Sequence, residues 1–351
     1  MNSFCRFLSH GYSFTDHAGK LMIKPCCWFK EDVKFENHVE ARQRWANATT
    51  WLPGCVACEK LDNATGYSFR NASFDIVPDG TPPGAVALDI SLDFNCNAAC
   101  VICGPYSSST WAQQLKKHSI QIYQRPQSLD HLVKVFDEID LSNVRRIKFF
   151  GGEPLLTDTH ITILKKIPNP ELVDIWYTTN GSVLPDNNVI SIWQKFKLVY
   201  METSIDGIGD RFKYIRWPLG WDKIKNNLFE IKNTGPNNLL FRINHTLNPF
   251  NILYYDELTN WVESEFSQNK LGDPTEINIH PCWGVWDLSR TPAALREQVY
   301  KKYSHDHAIS KLLVDLPVNS YDPIIDFTKK WDEVRGLRWQ SVFPEIVNYF
   351  P

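Results

Sequence analysis

Cys96, Cys100 and Cys103 stand at a C-x3-C-x2-C spacing in the stretch FNCNAACVICGPYSSSTW, residues 94–111. Thiolates are soft ligands that select zinc and iron–sulfur centres. Three of them are an odd number for disulfides and one short of a closed tetrahedral zinc site. A cubane iron–sulfur cluster held by three thiolates explains the shortfall, because it keeps one iron open to an exogenous ligand. Five more cysteines, Cys5, Cys26, Cys27, Cys55 and Cys58, fall in the first sixty residues, and Cys282 stands alone. Thiols gathered in this way argue for metal or redox chemistry rather than disulfides. They suit a four-cysteine zinc site as well, where the C-x2-C spacing of Cys55 and Cys58 is equally at home.

The chain's 351 residues allow two domains or one barrel with appendages. An apolar fraction of 43% with 22% charged residues is that of an ordinary globular protein. The net charge is −3, and basic pairs such as Arg145-Arg146 and Lys301-Lys302 are scattered, which speaks against bulk nucleic-acid binding. The first residues, MNSFCRFLSHGYSF, lack the basic and then apolar pattern of a signal peptide. No stretch approaches ~18 uninterrupted apolar residues, so no membrane contact is expected. The expectation is a cytoplasmic protein whose cysteines serve metal or redox chemistry.

A Pro/Gly-rich break, IVPDGTPPGA at residues 76–85, divides the chain. Beyond it, β-like runs at 85–92, 145–150, 173–179, 197–205, 239–247 and 276–281 alternate with helix-like runs such as 129–141 and 253–266. That alternation predicts an α/β fold with a parallel sheet or partial barrel. From Thr291, a candidate N-cap followed by Pro292, the pattern turns helical. The expected division is a cysteine-rich segment over 1–75, a partial (β/α)6 barrel over 76–290 and a helical extension over 291–351. In such barrels chemistry gathers at the C-terminal ends of the strands. There stand the cysteine trio, GGEP (151–154), Asn180, Ser204 with Asp206, His245, and His280 with Cys282.

The trio after one strand and GGEP after the next resemble the radical S-adenosylmethionine (radical SAM) superfamily. The resemblance implies a [4Fe-4S] cluster on Cys96, Cys100 and Cys103. It implies that Gly151, Gly152, Glu153 and Pro154 meet the methionyl amino group of SAM, and that Ile102 lies near its adenine. Asn180, Ser204 and Asp206 fall where members contact SAM; capping of a turn explains those residue types as well. AGKLMIKPCCWF (18–29) and LPGCVACEKLDNATGYSFR (52–70) resemble the SPASM/Twitch auxiliary domains of this superfamily, here ahead of the barrel rather than behind it. That implies an auxiliary [4Fe-4S] cluster on Cys5, Cys26, Cys55 and Cys58, with Cys27 an alternative to Cys26 and zinc an alternative to iron.

The implied activity is reductive cleavage of SAM to a 5′-deoxyadenosyl radical and hydrogen abstraction from a substrate. A peptide or protein side chain is the expected substrate, with a flavodoxin- or ferredoxin-type electron donor. The alternatives are a small molecule or nucleotide as substrate, or an iron–sulfur protein without catalysis. His245, His280 and Cys282 are the candidate substrate-side residues, and Arg216 with Trp217 are candidates for the barrel entrance. A satisfied structural role competes for the two histidines, a buried thiol for Cys282, and a solvated helix start for Arg216 and Trp217.

Overall fold

The computed structural model describes residues 4–17, 20–66, 68–82, 84–92, 94–120, 130–304, 307–314 and 316–350. One sheet of nine strands runs through them: β1 (Gly11–His17), β2 (Lys20–Lys24), β3 (Val33–Lys34), β4 (Ala87–Ser91), β5 (Arg146–Phe150), β6 (Asp174–Thr179), β7 (Leu198–Ser204), β8 (Leu239–Leu247) and β9 (Glu276–Pro281). The spatial order is β3-β2-β1-β4-β5-β6-β7-β8-β9. The last six, β4 to β9, follow one another in parallel, which is the predicted (β/α)6 half-barrel.

Alternation along the strands explains which face goes where. In β6, Ile175, Tyr177 and Thr179 are buried, while Asp174, Trp176 and Thr178 between them are only half-buried. The apolar set packs under the helices and the polar set lines the concave face, as a period of two requires. Trp193, from the helix Asn187–Trp193, lies fully buried with Tyr177, whose hydroxyl accepts from its Nε1 at 3.2 Å.

The N-terminal segment does more than precede the barrel. β1 pairs in parallel with β4, Tyr12 against Leu88 and Phe14 against Ile90, so the parallel run is one strand longer than the sequence predicts. β2 and β3 then continue the sheet antiparallel. The helices His38–Ala46, Val56–Thr65 and Phe69–Ile76 fold back over that edge, around a small core of Phe7, Leu8, Phe29, Trp45 and Val77.

Other predicted elements shift modestly. The helix expected over 129–141 is shorter, Asp130–Val135, and residue 129 lies outside the described residues. The helix expected at 253–266 is Tyr255–Glu265. The C-terminal extension begins helically at Ala293, with Pro292 rather than Thr291 in the cap position. It goes on to Asp322–Arg335, which packs Trp331 edge-on against Trp111 from the helix Ser109–Lys117.

Candidate functional site

The loop after β4 carries the three thiols, and its backbone is tied down on several sides. Cys96 N–H donates to Ser109 Oγ at 3.1 Å, and Thr110 Oγ1 donates back to the Cys96 carbonyl at 2.6 Å. Trp111 Nε1 donates to the Cys100 carbonyl at 2.8 Å. Ala99 and Val101 donate to the carbonyls of Trp217 and Ile215 at 2.7 and 2.8 Å. The serine run of the sequence is thus the tether of the cysteine loop. Cys96 and Cys100 are buried, and Cys103 is exposed. Burial raises the Cys96 thiol to about 12, and repulsion from Cys100 adds to it. The bare thiols are therefore protonated at neutral pH, and a metal must displace those protons.

Two N–H donors aim at the sulfurs. Asn180 Nδ2 lies 3.8 Å from Cys96 Sγ and donates to Asn97 Oδ1 at 3.0 Å. Arg216 Nη1 lies 3.9 Å from Cys100 Sγ. Arg216 is buried and pairs through Nη2 with Asp206 Oδ2 at 2.5 Å. Burial works against its charge, but Asp206 and Cys100 outweigh that and hold the guanidinium above its ordinary range. Asp206 is held in turn by the backbone N–H of Thr246, 2.6 Å from its Oδ1. Arg216 is not an entrance residue as the sequence suggests; it backs the cysteine loop from inside. Three thiols met by a buried cation and an amide N–H form a fitting donor set for an anionic metal–sulfur centre.

Beside this loop, Gly151 and Gly152 turn with φ of +80° and +52°, a conformation open to glycine at little cost. Glu153 is fully buried. Its Oε1 accepts from Thr179 Oγ1 at 2.6 Å and from Leu155 N–H at 3.2 Å, and its Oε2 accepts from Asn180 N–H at 2.6 Å. The carboxylate therefore staples the β5 turn to the end of β6 and fixes Asn180 beside Cys96. Burial raises this carboxyl against the effect of those hydrogen bonds. Pro154 opens a short 3-10 turn. Ile102 packs half-buried against the core, and Ser204 lies buried at the end of β7.

The remaining candidates part company. His245 is buried, with Nδ1 2.9 Å from the Ile205 carbonyl, and burial lowers its pKa. Cys282 is also buried; burial raises its thiol to about 12, and the Asp206 carboxylate adds to that. His280 is exposed at the end of β9, in the field of Lys148 and Glu202. Those two, absent from the sequence candidates, form an ion pair across β6: Lys148 Nζ to Glu202 Oε2 at 2.6 Å, with Thr178 Oγ1 donating to the same oxygen at 3.0 Å. Strand alternation places all three on the concave face, a signal the sequence did hold.

Cys5, Cys26, Cys55 and Cys58 line one small cavity with Phe7, Trp28, Phe29, Trp51 and Phe69. A Cβ on Gly54 would strike the Phe29 ring at 2.4 Å, so glycine is required where the chain enters Cys55. Cys27 turns away from that cavity: its N–H donates to Asp89 Oδ2 at 3.3 Å, and its thiol faces Asp89, Arg146 and Lys148. Four thiols around an apolar hollow suit a closed metal–sulfur centre. Among the described residues no disulfide forms, and no three His, Cys, Asp or Glu side chains gather around a single-ion position. Among the described residues no helix is long and apolar enough to cross a membrane.

A parallel half-barrel whose mouth gathers three thiols, sulfur-directed N–H donors and a glycine turn belongs to the class of barrels that carry a metal–sulfur centre. Residues 90–251 match the Radical SAM superfamily. The GTP 3′,8-cyclase of Clostridium perfringens strain 13 is 30% identical over 160 residues, 45% of this chain and 45% of that protein. The probable GTP 3′,8-cyclase of Methanothermobacter marburgensis is 29% identical over 104 residues, 30% of each chain. The chain thus matches less than half the length of these curated relatives. Among solved structures, anSMEcpe with bound AdoMet aligns with a TM-score of 0.39 and 16% identity over 61% of this chain and 59% of that one. Streptococcus suis SuiB bound to precursor peptide SuiA aligns with a TM-score of 0.38 and 15% identity over 76% and 57%.

Proposed function

We propose that this chain is a radical SAM enzyme that modifies a peptide or protein side chain. The observation that carries the radical reading is the tethered cysteine loop with Arg216 and Asn180 directed at its sulfurs. A [4Fe-4S] cluster on Cys96, Cys100 and Cys103, with SAM beside it, supplies reductive cleavage of SAM and a 5′-deoxyadenosyl radical that takes hydrogen from substrate. The chain's own residues do the rest. The Gly151-Gly152 turn admits the methionyl end of SAM, Glu153 holds that turn and Asn180 in register, and Ser204 and Ile102 flank the ligand. Asp206 keeps Arg216 in place behind Cys100. Lys148, Glu202 and His280 line the concave face on the substrate side.

Cys5, Cys26, Cys55 and Cys58 hold an auxiliary [4Fe-4S] cluster within the segment 1–75, and its apolar wall excludes water. A flavodoxin- or ferredoxin-type protein is the electron donor in this reading. The peptide assignment is supported by the rim of the barrel. Tyr106, Leu156, Leu184, Trp283 and Val285 are exposed apolar side chains, and every one of them follows the C-terminal end of a strand. Such a rim suits an extended chain better than a small polar molecule. A second reading, a nucleotide substrate, is favoured by the names of the curated relatives, GTP 3′,8-cyclases.

The test begins with iron and sulfide per chain after anaerobic purification, beside a C96A/C100A/C103A variant. About eight irons falling to about four supports two cubanes. The loaded protein is then given SAM and dithionite, and 5′-deoxyadenosine is measured alone, with peptides and with GTP. Stimulation by GTP alone replaces the peptide reading with the nucleotide one. An intact cluster without SAM cleavage makes the chain an electron-transfer protein.

A further inference from the structure

Arg335 ends the helix Asp322–Arg335 in the C-terminal extension, 236 positions from the loop it touches. Its Nη2 donates to the Ala99 carbonyl at 2.9 Å, inside the cysteine loop, and to Gln114 Oε1 at 3.0 Å. The guanidinium lies over Trp111 at 4.5 Å, Trp217 at 4.8 Å and Trp331 at 5.8 Å. Two of these rings belong to residues bonded to the loop itself: Trp111 Nε1 donates to the Cys100 carbonyl, and the Trp217 carbonyl accepts from Ala99 N–H. The cation is therefore held by the same groups that shape the loop.

Arg335 differs from Arg216 in its charge balance. Arg216 faces the Asp206 carboxylate, which neutralises it. Both hydrogen-bond acceptors of Arg335 are neutral, a carbonyl and an amide, and its buried Nε and Nη1 have no hydrogen-bond partner; the Asp332 carboxylate lies in its field but accepts from Tyr214 and Trp339 instead. A half-buried cation with unpaired donors is costly to keep unless a nearby anion benefits from its field. Burial pulls the guanidinium down to about 10, which leaves it charged at neutral pH. Cys100 lies within its field.

We infer that Arg335 is a positioning residue for the metal centre: it clamps the cysteine loop from the C-terminal extension, and its charge makes the centre easier to reduce. The inference rests on the reading of the trio as cluster ligands. An added electron makes a thiolate-bound cluster more negative, so a fixed neighbouring cation stabilises the reduced form more than the oxidised one. The helical extension, which carries no motif of its own, thereby becomes part of the redox machinery.

The test is an EPR-monitored redox titration of the SAM-sensitive cluster signal in the full-length protein and in R335M, R335K and Y214F. At the poise where the wild type is half reduced, R335M is expected to show a reduced-to-oxidised ratio about tenfold lower, a shift of about 59 mV for one electron. R335K keeps the charge but not the fork, so most of the ratio returns while a chelator strips iron faster. Y214F breaks the 2.8 Å bond from Tyr214 to Asp332, which anchors the same helix, without changing charge, and leaves the ratio at the wild-type value. R335M with full iron and a wild-type ratio overturns the inference. So does an equal fall in Y214F, which reduces Arg335 to a helix anchor. Should R335M hold no iron, R335K decides, and a tenfold fall despite its retained charge overturns the inference. A wild-type protein that binds no iron overturns the cluster reading and this inference with it.

Discussion

Asp206 and Arg216 form an ion pair of 2.5 Å almost wholly removed from water, directly behind Cys100. A buried pair of this kind adds little net stability, but removing one partner strands the other as an unpaired charge. Asp206→Asn is therefore expected to cost about 3–5 kcal/mol in urea denaturation. The double variant D206N/R216M, which removes both charges, is expected to recover much of that loss. Equal destabilisation of single and double variants would contradict the pairing.

The Lys148–Glu202 pair gives a pH dependence of known sign. Burial alone would raise the Glu202 carboxyl, but Lys148, Thr178 and Asn244 outweigh it and hold the pKa below the ordinary value. A carboxyl lower in the fold than in the unfolded chain stabilises above the unfolded pKa of about 4, and that stability is lost as pH falls below it. Acid unfolding of Glu202→Gln should lack this contribution. A parallel pH profile for wild type and variant would show that the pair carries none of it.

His160 titrates in a higher window. It is buried with Nδ1 2.7 Å from the Tyr177 hydroxyl, and burial lowers its pKa to about 4. The unfolded chain takes up this proton near pH 6.5, whereas the folded one resists it down to about pH 4. Stability that is full above pH 6.5 should therefore decline between those values, by on the order of 3 kcal/mol from this residue. His160→Gln removes that slope in thermal melts across the window. An unchanged slope would assign it to other histidines.

The adjacent thiols Cys26 and Cys27 should behave differently. Cys26 lines the four-thiol cavity, while Cys27 faces Asp89 and the barrel strands. Cys26→Ser is expected to lose the N-terminal metal, and Cys27→Ser to keep it, as read by iron and zinc per chain. Loss in Cys27→Ser with retention in Cys26→Ser would reverse the assignment.

Strand positions were legible because short β-like runs alternate with helix-like ones along the chain, and β8 and β9 keep the predicted bounds residue for residue. Cys96, Asn180 and Asp206 were legible as strand-end residues, and the fold brings them to one side of the sheet. Arg216 misled because its neighbours in FKYIRWPLGW read as a surface helix, whereas its burial depends on Asp206 and Cys100 from other elements. Arg335 gave no signal, since a contact to Ala99 across 236 positions leaves no local pattern. The choice within the Cys26-Cys27 doublet follows from which wall each side chain meets, which spacing does not encode. β1 was missed because its partner β4 lies beyond the whole cysteine-rich segment.

That pairing bears on how the protein can be dissected. A chain trimmed to start at the barrel would leave the β4 backbone, Ala87–Ser91, as an open edge of a long parallel sheet. Unpaired edges of this kind recruit strands from other molecules. The N-terminal segment thus acts as a selvage, and its removal would turn a discrete particle into one prone to self-association before any chemistry could be assayed.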